Sequence, residues 1–259
     1  MKGFKIIQYN CGASNYGTLK PFMDMLDASE YPLIALQEPS VNKATLGTYY
    51  PRGYTLCMEP ALETKVAFLV SKEICMEHWS YSRHSSFVSE IKIQLDRLAL
   101  RVINVYSPVT LRTELLGWNK IIEAVKKNKS SCIFLGDFNC HHPLWGGTKA
   151  PRDNRAQLLI DTLTTEGLQL ATHPGAPTFR RNGKGGHTQE TVIDLTFATE
   201  DIIDCIYFCS TREDWCLRQD HIPIDIALSF ARISFSEKRR FAHQKANTDK
   251  IKQVIRESR

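Results

Sequence analysis

Four carboxylates, two amides and one histidine stand where short apolar runs of this sequence stop or start. Asn10 follows Phe4–Tyr9, Glu38 follows Leu33–Gln37, and Asp137 and Asn139 follow Cys132–Leu135 in the run Gly136-Asp137-Phe138-Asn139. Asp194 lies in Val192-Ile193-Asp194-Leu195, and Asp220-His221 precede the alternating run Ile222–Leu228. Strands place side chains accurately at a shared sheet edge, so polar groups at strand ends are where chemistry is built. Each is weak alone: an Asp in a Gly-Asp pair is usually a turn former, and an Asp-His pair is more often a surface feature. As a set they suit metal-assisted hydrolysis of a phosphodiester. A hard divalent cation such as Mg²⁺ takes carboxylate and amide oxygens and keeps several waters. The attacking water needs a carboxylate base, and the charged transition state needs a cation and hydrogen-bond donors. A histidine held by an aspartate can be such a donor.

Two other patterns lead elsewhere. Cys140-His141-His142 offers zinc-type ligands, but adjacent residues rarely bind one ion and no second ligand cluster follows. A structural role beside Trp145 is the better reading. The run Asn182-Gly183-Lys184-Gly185-Gly186 lacks the strand–loop–helix context and the Ser/Thr of a P-loop. It is either a flexible turn or, with Arg180, Arg181 and His187 nearby, a basic DNA contact.

The elements that must hold these groups alternate between strand and helix. Strands are predicted at 4–9, 33–36, 65–70, 88–95, 98–106, 132–135, 191–198 and 222–229. Helices are predicted over Thr18–Ala28, with Pro21 in the first turn, over 113–127, and over Arg155–Thr165 with Gly167 as C-cap. Asp96-Arg97 reads as a hairpin turn. This mixture, without a long linker, predicts one α/β domain over 1–231.

Composition excludes several classes. At 259 residues, with 42% hydrophobic and 24% charged, the chain is neither disordered nor fibrous. No run approaches the roughly 18 apolar residues of a membrane span, and the N-terminus does not read as a signal peptide. Eight cysteines without a CxxC pair predict reduced, mostly buried thiols and a cytosolic or nuclear setting. The net charge of +5 belongs to the end of the chain: residues 232–259 carry nine Lys/Arg against three acids, leaving 24 basic and 25 acidic residues elsewhere. A near-neutral body meets a polyanion through local patches or a metal ion. The basic stretch reads as a helical linker toward a further domain, with nucleic-acid contact as the alternative.

Taken in order, Gln8-Tyr9-Asn10, Leu36-Gln37-Glu38-Pro39, Asn104-Val105-Tyr106-Ser107-Pro108, Gly136-Asp137-Phe138-Asn139, Ile193-Asp194-Leu195-Thr196 and Asp220-His221-Ile222-Pro223-Ile224 resemble the motif series of the endonuclease/exonuclease/phosphatase superfamily, whose abasic endonucleases are its best-known members. His141-His142-Pro143-Leu144-Trp145-Gly146 and residues 152–160 resemble the endonuclease of non-LTR (LINE-type) retrotransposons. The resemblance covers residues 4–230. It implies a four-layer α/β sandwich, two mixed β-sheets face to face flanked by helices. It further implies Glu38 as metal ligand with Asn10 beside it and Asp220 completing the metal or hydrogen-bond network. Asp137 would activate the water, Asn139 and Tyr106 would contact the phosphate, and Asp194 would orient His221 toward it. Arg180, Arg181, Lys184, Thr191 and Asn154 would meet DNA, the first three on a protruding hairpin. Gln219 stands where the family usually has serine, and Thr191 also replaces a frequent serine.

The implied activity is Mg²⁺-dependent nicking of double-stranded DNA, with Mn²⁺ able to substitute, leaving a 3′-hydroxyl that primes reverse transcription. A fused reverse transcriptase, no membrane association and a nuclear location go with it. The alternatives are an abasic-site repair endonuclease or another phosphodiesterase of the superfamily and, in a different class, an inactive nucleic-acid-binding remnant.

Overall fold

The computed structural model describes residues 3–12, 16–95, 98–108, 119–121, 123–124, 131–183, 186–215 and 220–229. The predicted turn at Asp96-Arg97, Lys184, Gln219, the basic stretch and most of the predicted helix 113–127 lie outside them.

Two six-stranded sheets are formed. Sheet one comprises β1 (Phe4–Asn10), β2 (Leu33–Gln37), β3 (Tyr54–Cys57), β4 (Val66–Ser71), β13 (Ile206–Thr211) and β14 (Ile224–Leu228), in the order β13-β14-β1-β2-β4-β3. Sheet two comprises β5 (Trp79–Arg83), β6 (Val88–Leu95), β7 (Leu98–Tyr106), β8 (Cys132–Asp137), β9 (Leu168–Leu170) and β12 (Asp194–Thr199), in the order β5-β6-β7-β8-β12-β9. The pairs β1–β2 and β7–β8 are parallel and the other pairs antiparallel, so both sheets are mixed. A separate hairpin pairs β10 (Phe179–Asn182) with β11 (Thr188–Thr191).

The sandwich follows from which faces are apolar. Ile6, Leu33, Ala35 and Ile226 of sheet one pack with Ile93, Val102, Ile133 and Leu135 of sheet two in one buried cluster. The next residues along the same strands, Ile7, Ile34 and Leu36, turn outward onto Leu19, Phe22 and Met23 of the helix Tyr16–Asp24. Ile103 and Phe134 turn outward onto Leu159 and Leu163 of the helix Asn154–Thr165. Strands covered on both faces are apolar throughout, which is why β2, β4 and β8 show as unbroken runs in the sequence. The four-layer α/β sandwich is therefore present.

Boundaries differ in ways that have causes. The first helix starts at Tyr16 and stops at Asp24, so Pro21 is its sixth residue and not in its first turn. The 154–165 helix is fixed by Asp153, whose side chain accepts from Arg155 N at 2.9 Å, and is followed by Gly167 at φ 71°, the left-handed position that glycine takes at no steric cost. The predicted strand 191–198 is two strands, β11 and β12, broken at Val192-Ile193. No described helix is long and apolar enough to cross a membrane, and none of the seven described cysteines forms a disulfide.

One buried ion pair ties β6 to β7. Glu90 Oε1 accepts from Arg101 Nε at 2.7 Å and Oε2 from Arg101 Nη2 at 2.6 Å, and His84 Nε2 lies 3.0 Å from the same Oε2. Burial alone would raise the Glu90 carboxyl, but the hydrogen bonds and charges of His84 and Arg101 outweigh it and hold the carboxyl at about 2. A folded-state pKa below the unfolded one adds stability above the ordinary glutamate range, and that stability disappears as pH falls toward 2. Glu90→Gln should therefore cost roughly 3 kcal/mol at pH 7, where it removes the charged carboxylate that Arg101 and His84 share. The deficit should shrink by more than half at pH 3. Urea unfolding at the two pH values measures it, and an equal deficit at both would rule out the ionised pair as the cause.

Candidate active site

Strand register lays out the site. Asp137 ends β8, with Tyr106 of β7 and Asp194 of β12 directly beside it in the pairing, so one row of sheet two holds three of the predicted residues. Gly136 makes this row possible. At φ 146° a Cβ there would lie 1.9 Å from the Val105 carbonyl oxygen, so only glycine lets β8 approach β7 so closely. Sheet one contributes Asn10 at the end of β1 and Glu38 immediately after β2. Glu38 and Asn139 are both left-handed, at φ 43° and 45°, a conformation that side chains other than glycine rarely adopt and that clusters at functional sites.

The sheets meet through Asp137, which is almost completely buried. Its Oδ2 accepts from Asn10 Nδ2 at 2.7 Å and Asn139 Nδ2 at 3.0 Å, and its Oδ1 accepts from Asn139 N at 2.9 Å. The sequence placed this aspartate on a loop after the strand; it is the last residue of the strand itself. Asn139 also donates to the Ser107 carbonyl at 2.8 Å, and its own carbonyl accepts from Arg155 Nη2 at 3.2 Å. His221 Nδ1 lies 2.9 Å from Asp194 Oδ2, and the ring meets Phe179 edge-on at 4.9 Å between centroids. Glu38 Oε1 accepts from Lys65 Nζ at 3.0 Å and shares a hydrogen bond with the Tyr106 hydroxyl.

The charges are tuned by this crowding. Burial, and then the neighbouring Asp194 charge, push the Asp137 carboxyl well above the ordinary aspartate range. Burial opposes charge on His221, but Asp194, with Asp137 and Glu38 behind it, overcomes that and raises the ring to about 9. Burial, then Glu38, raises the Tyr106 phenol, which stays a neutral donor.

Ligand atoms of Asp137, Asp194 and His221 lie within 4.8 Å of one another, the one such grouping among the described residues. Asp194 Oδ1 is buried without a partner. Two adjacent buried carboxylates, one with an unsatisfied oxygen, fit a divalent cation. The imidazole is less suited to ligation while it is protonated, the form that its rise to about 9 favours.

Asp220 departs from its predicted place. Its Oδ2 accepts from Arg181 Nε at 2.7 Å and its carbonyl from Arg180 N at 2.6 Å, which puts it at the foot of the hairpin and outside the cluster. Arg180 pairs with Glu190 and Glu213, and Arg181 also lies over the Phe179 ring at 5.1 Å. These pairs are exposed and screened by solvent, so a phosphate can compete for both arginines. Thr191 lines a cavity of about 300 Å³ with His141, Lys149 and Glu190, and Asn154 is exposed at the start of its helix. His142 caps a single turn by accepting from Leu144 N, and buried Trp145 donates to the Cys140 carbonyl, which accounts for that run structurally.

Sequence reasoning missed Thr178. Its Oγ1 accepts from the backbone of Ile193 and Asp194, both at 3.0 Å, while its carbonyl accepts from Ile222 N at 2.8 Å. It thus ties both halves of the Asp194–His221 pair. No local pattern marks it; only the tertiary fold brings it there.

Residues 100–225 match the family described as endonuclease-reverse transcriptase. No curated protein matches the chain. Among solved structures, the endonuclease domain of TRAS1, a telomere-specific non-LTR retrotransposon, is similar at 21% identity over 88% of this chain and 100% of that one, with a TM-score of 0.70. The AP endonuclease LMAP from Leishmania major is similar at 13% identity over 88% of each chain, with a TM-score of 0.69. A 3′ phosphatase from Neisseria, bound to a product DNA hairpin, is similar at 13% over 88% of this chain and 100% of that one, with a TM-score of 0.65. At these identities the likeness is one of fold, and it is the fold that the motif series implied. The chain therefore has the fold of the TRAS1 endonuclease domain and of the AP endonuclease LMAP, and its residues 100–225 match the endonuclease-reverse transcriptase family.

Proposed function

We propose that this protein is a Mg²⁺-dependent endonuclease that nicks double-stranded DNA and leaves a 3′-hydroxyl from which a reverse transcriptase extends. The observation that carries this reading is the buried cluster of Asp137, Asp194 and His221, joined across the sandwich by the Asn10–Asp137 bond. The carboxylate oxygens of Asp137 and Asp194, with Glu38 nearby, would hold a divalent cation, which would supply positive charge to keep the acids ionised and to polarise the phosphate. Asp137 then accepts the proton of the attacking water. His221, oriented through Nδ1 by Asp194, has Nε2 to donate to a phosphate oxygen, and the neutral Tyr106 hydroxyl is a second donor. Asn139, rigid at its left-handed backbone position, shares Asp137 and so sets where the water and phosphate meet. Arg180 and Arg181 supply sequence-independent phosphate contacts, Lys184, Thr191 and Asn154 extend that surface, and the work takes place in the nucleus on behalf of a fused reverse transcriptase.

Supercoiled plasmid tests the reading. Purified protein should convert it to open circles with Mg²⁺ or Mn²⁺ and not with EDTA, and a polymerase should extend the nicks directly. Cleavage confined to plasmid carrying abasic sites would favour a repair endonuclease. Binding without any cleavage would mean an inactive remnant.

A further inference from the structure

Directly beneath the site the interior of the sandwich turns polar. Gln8, Gln37, Asn104 and Thr196 are all essentially inaccessible to solvent. Gln8 Nε2 donates to the Gly136 carbonyl at 3.0 Å, and Thr196 Oγ1 donates to Gln8 Oε1 at 3.1 Å. Beside them Gln37 Nε2 donates to Asn104 Oδ1 at 2.6 Å, and Asn104 Nδ2 donates to the carbonyls of Leu36 and Ala67. Side chains two apart on a strand share a face. Gln8 is therefore one storey below Asn10, Thr196 one below Asp194, and Asn104 one below Tyr106, while Gly136 directly precedes Asp137.

An apolar side chain would fill the same space without the desolvation that a buried amide suffers. What the amide adds is direction. Backbone ladders fix strands within each sheet, but between sheets the apolar contacts are non-directional and allow the layers to slide. The Asn10–Asp137 bond crosses that gap, and it can form only at one relative setting of β1 and β8. Gln8 reaches from β1 to both β8 and β12, with each end of its amide satisfied within two residues of an active-site carboxylate.

We propose that Gln8 is a positioning residue, which sets the two sheets in register so that Asn10 and Asp137 meet. The proposal deepens the nuclease reading and rests on it for its kinetic consequences. Gln8→Met keeps the volume and removes both bonds. A displacement of about 1 Å at reacting groups can cost up to roughly 10²-fold, so kcat should fall about 10- to 100-fold while KM for duplex stays within twofold. Ile226→Ala, in the same core but without a bond to the catalytic strands, serves as a comparison whose loss of Tm is unrelated to register. Thr196→Val removes one bond and should produce a smaller loss in the same direction, which keeps the idea testable if Gln8→Met does not fold. In the crystal structure of Gln8→Met, or of Thr196→Val in its place, the Asn10 Nδ2 to Asp137 Oδ2 separation should exceed 3.5 Å. An intact bond in that structure, or a kcat loss no larger than that of Ile226→Ala, overturns the proposal. If the wild-type protein cuts no DNA, the nuclease reading fails and the Asn10–Asp137 distance alone still decides the role of Gln8.

Discussion

Asp137→Asn will reduce nicking by about 10²–10⁴-fold, the usual loss when a general base is removed, while leaving a folded protein. Alanine is the poorer choice, because Asp137 is a buried strand residue that accepts three hydrogen bonds and not a loop side chain. Asparagine keeps the volume and can still accept from Asn139 N. Its amide then faces the Asn10 and Asn139 amides, donor against donor, at a cost of about 1–3 kcal/mol. Part of that cost is offset, since the carboxylate it replaces is itself destabilised by burial and by Asp194. A Tm within several degrees of wild type, with open-circle formation almost abolished at every Mg²⁺ concentration, is the expected pair of results. Nicking above about a tenth of the wild-type rate would remove Asp137 from the role of base.

His221→Ala should reduce kcat by about 10²–10³-fold, the loss typical of one donor to a developing anion, with little change in duplex binding. Asp194→Asn separates orientation from charge. The asparagine can still hold the ring, but it no longer stabilises the proton that keeps His221 up near 9. Wild-type activity should therefore fall as pH rises through about 9, and in Asp194→Asn the same fall should begin at lower pH. A pH–rate profile on plasmid decides this. An alkaline limb that does not move would mean that the histidine acts in its neutral form.

What the sequence made legible depended on burial. Strands enclosed on both faces, such as Leu33–Gln37 and Val66–Ser71, leave apolar runs that stop where the polar groups begin, so the row from Asn10 to Asp194 could be read before any fold was known. The unread strands of the two sheets are Tyr54–Cys57, Trp79–Arg83, Leu168–Leu170 and Ile206–Thr211, and these are the four edges. An edge strand is short, half solvated and often polar, so it carries neither an apolar run nor a clean alternation. Trp79–Arg83 reads Trp-Ser-Tyr-Ser-Arg, with no residue fully buried. The hairpin strand Phe179–Asn182 likewise carries no apolar run, and only the resemblance pointed to a hairpin there. Within the site, Asn10, Glu38, Asp137, Asn139, Asp194 and His221 sit at the strand ends that the sequence indicated. Their connections were not legible, because Asn10 to Asp137 and Gln8 to Gly136 span more than 120 positions of chain. The bond from Arg181 to Asp220 was not legible either, since it joins residues 39 positions apart.

Among the described residues the hairpin is fastened to the protein chiefly at its root, through the His221 loop and the Arg180–Glu213 pair. Thr178 and Arg180 bond the backbone of residues 222 and 220, and Arg181 grips the Asp220 side chain. From Asn182 onward the bonds run inside the hairpin itself, Gly183 N to the His187 carbonyl and Thr188 Oγ1 to Asn182 Oδ1. It resembles an interchangeable bit held in a chuck. The bonds of residues 182, 183, 187 and 188 stay within the hairpin, whereas those of 178–181 reach the loop that carries the histidine, so a change at the root shakes the machine. For the nuclease proposed above, a change of target preference is therefore best sought between Arg181 and Gln189, with the root left untouched.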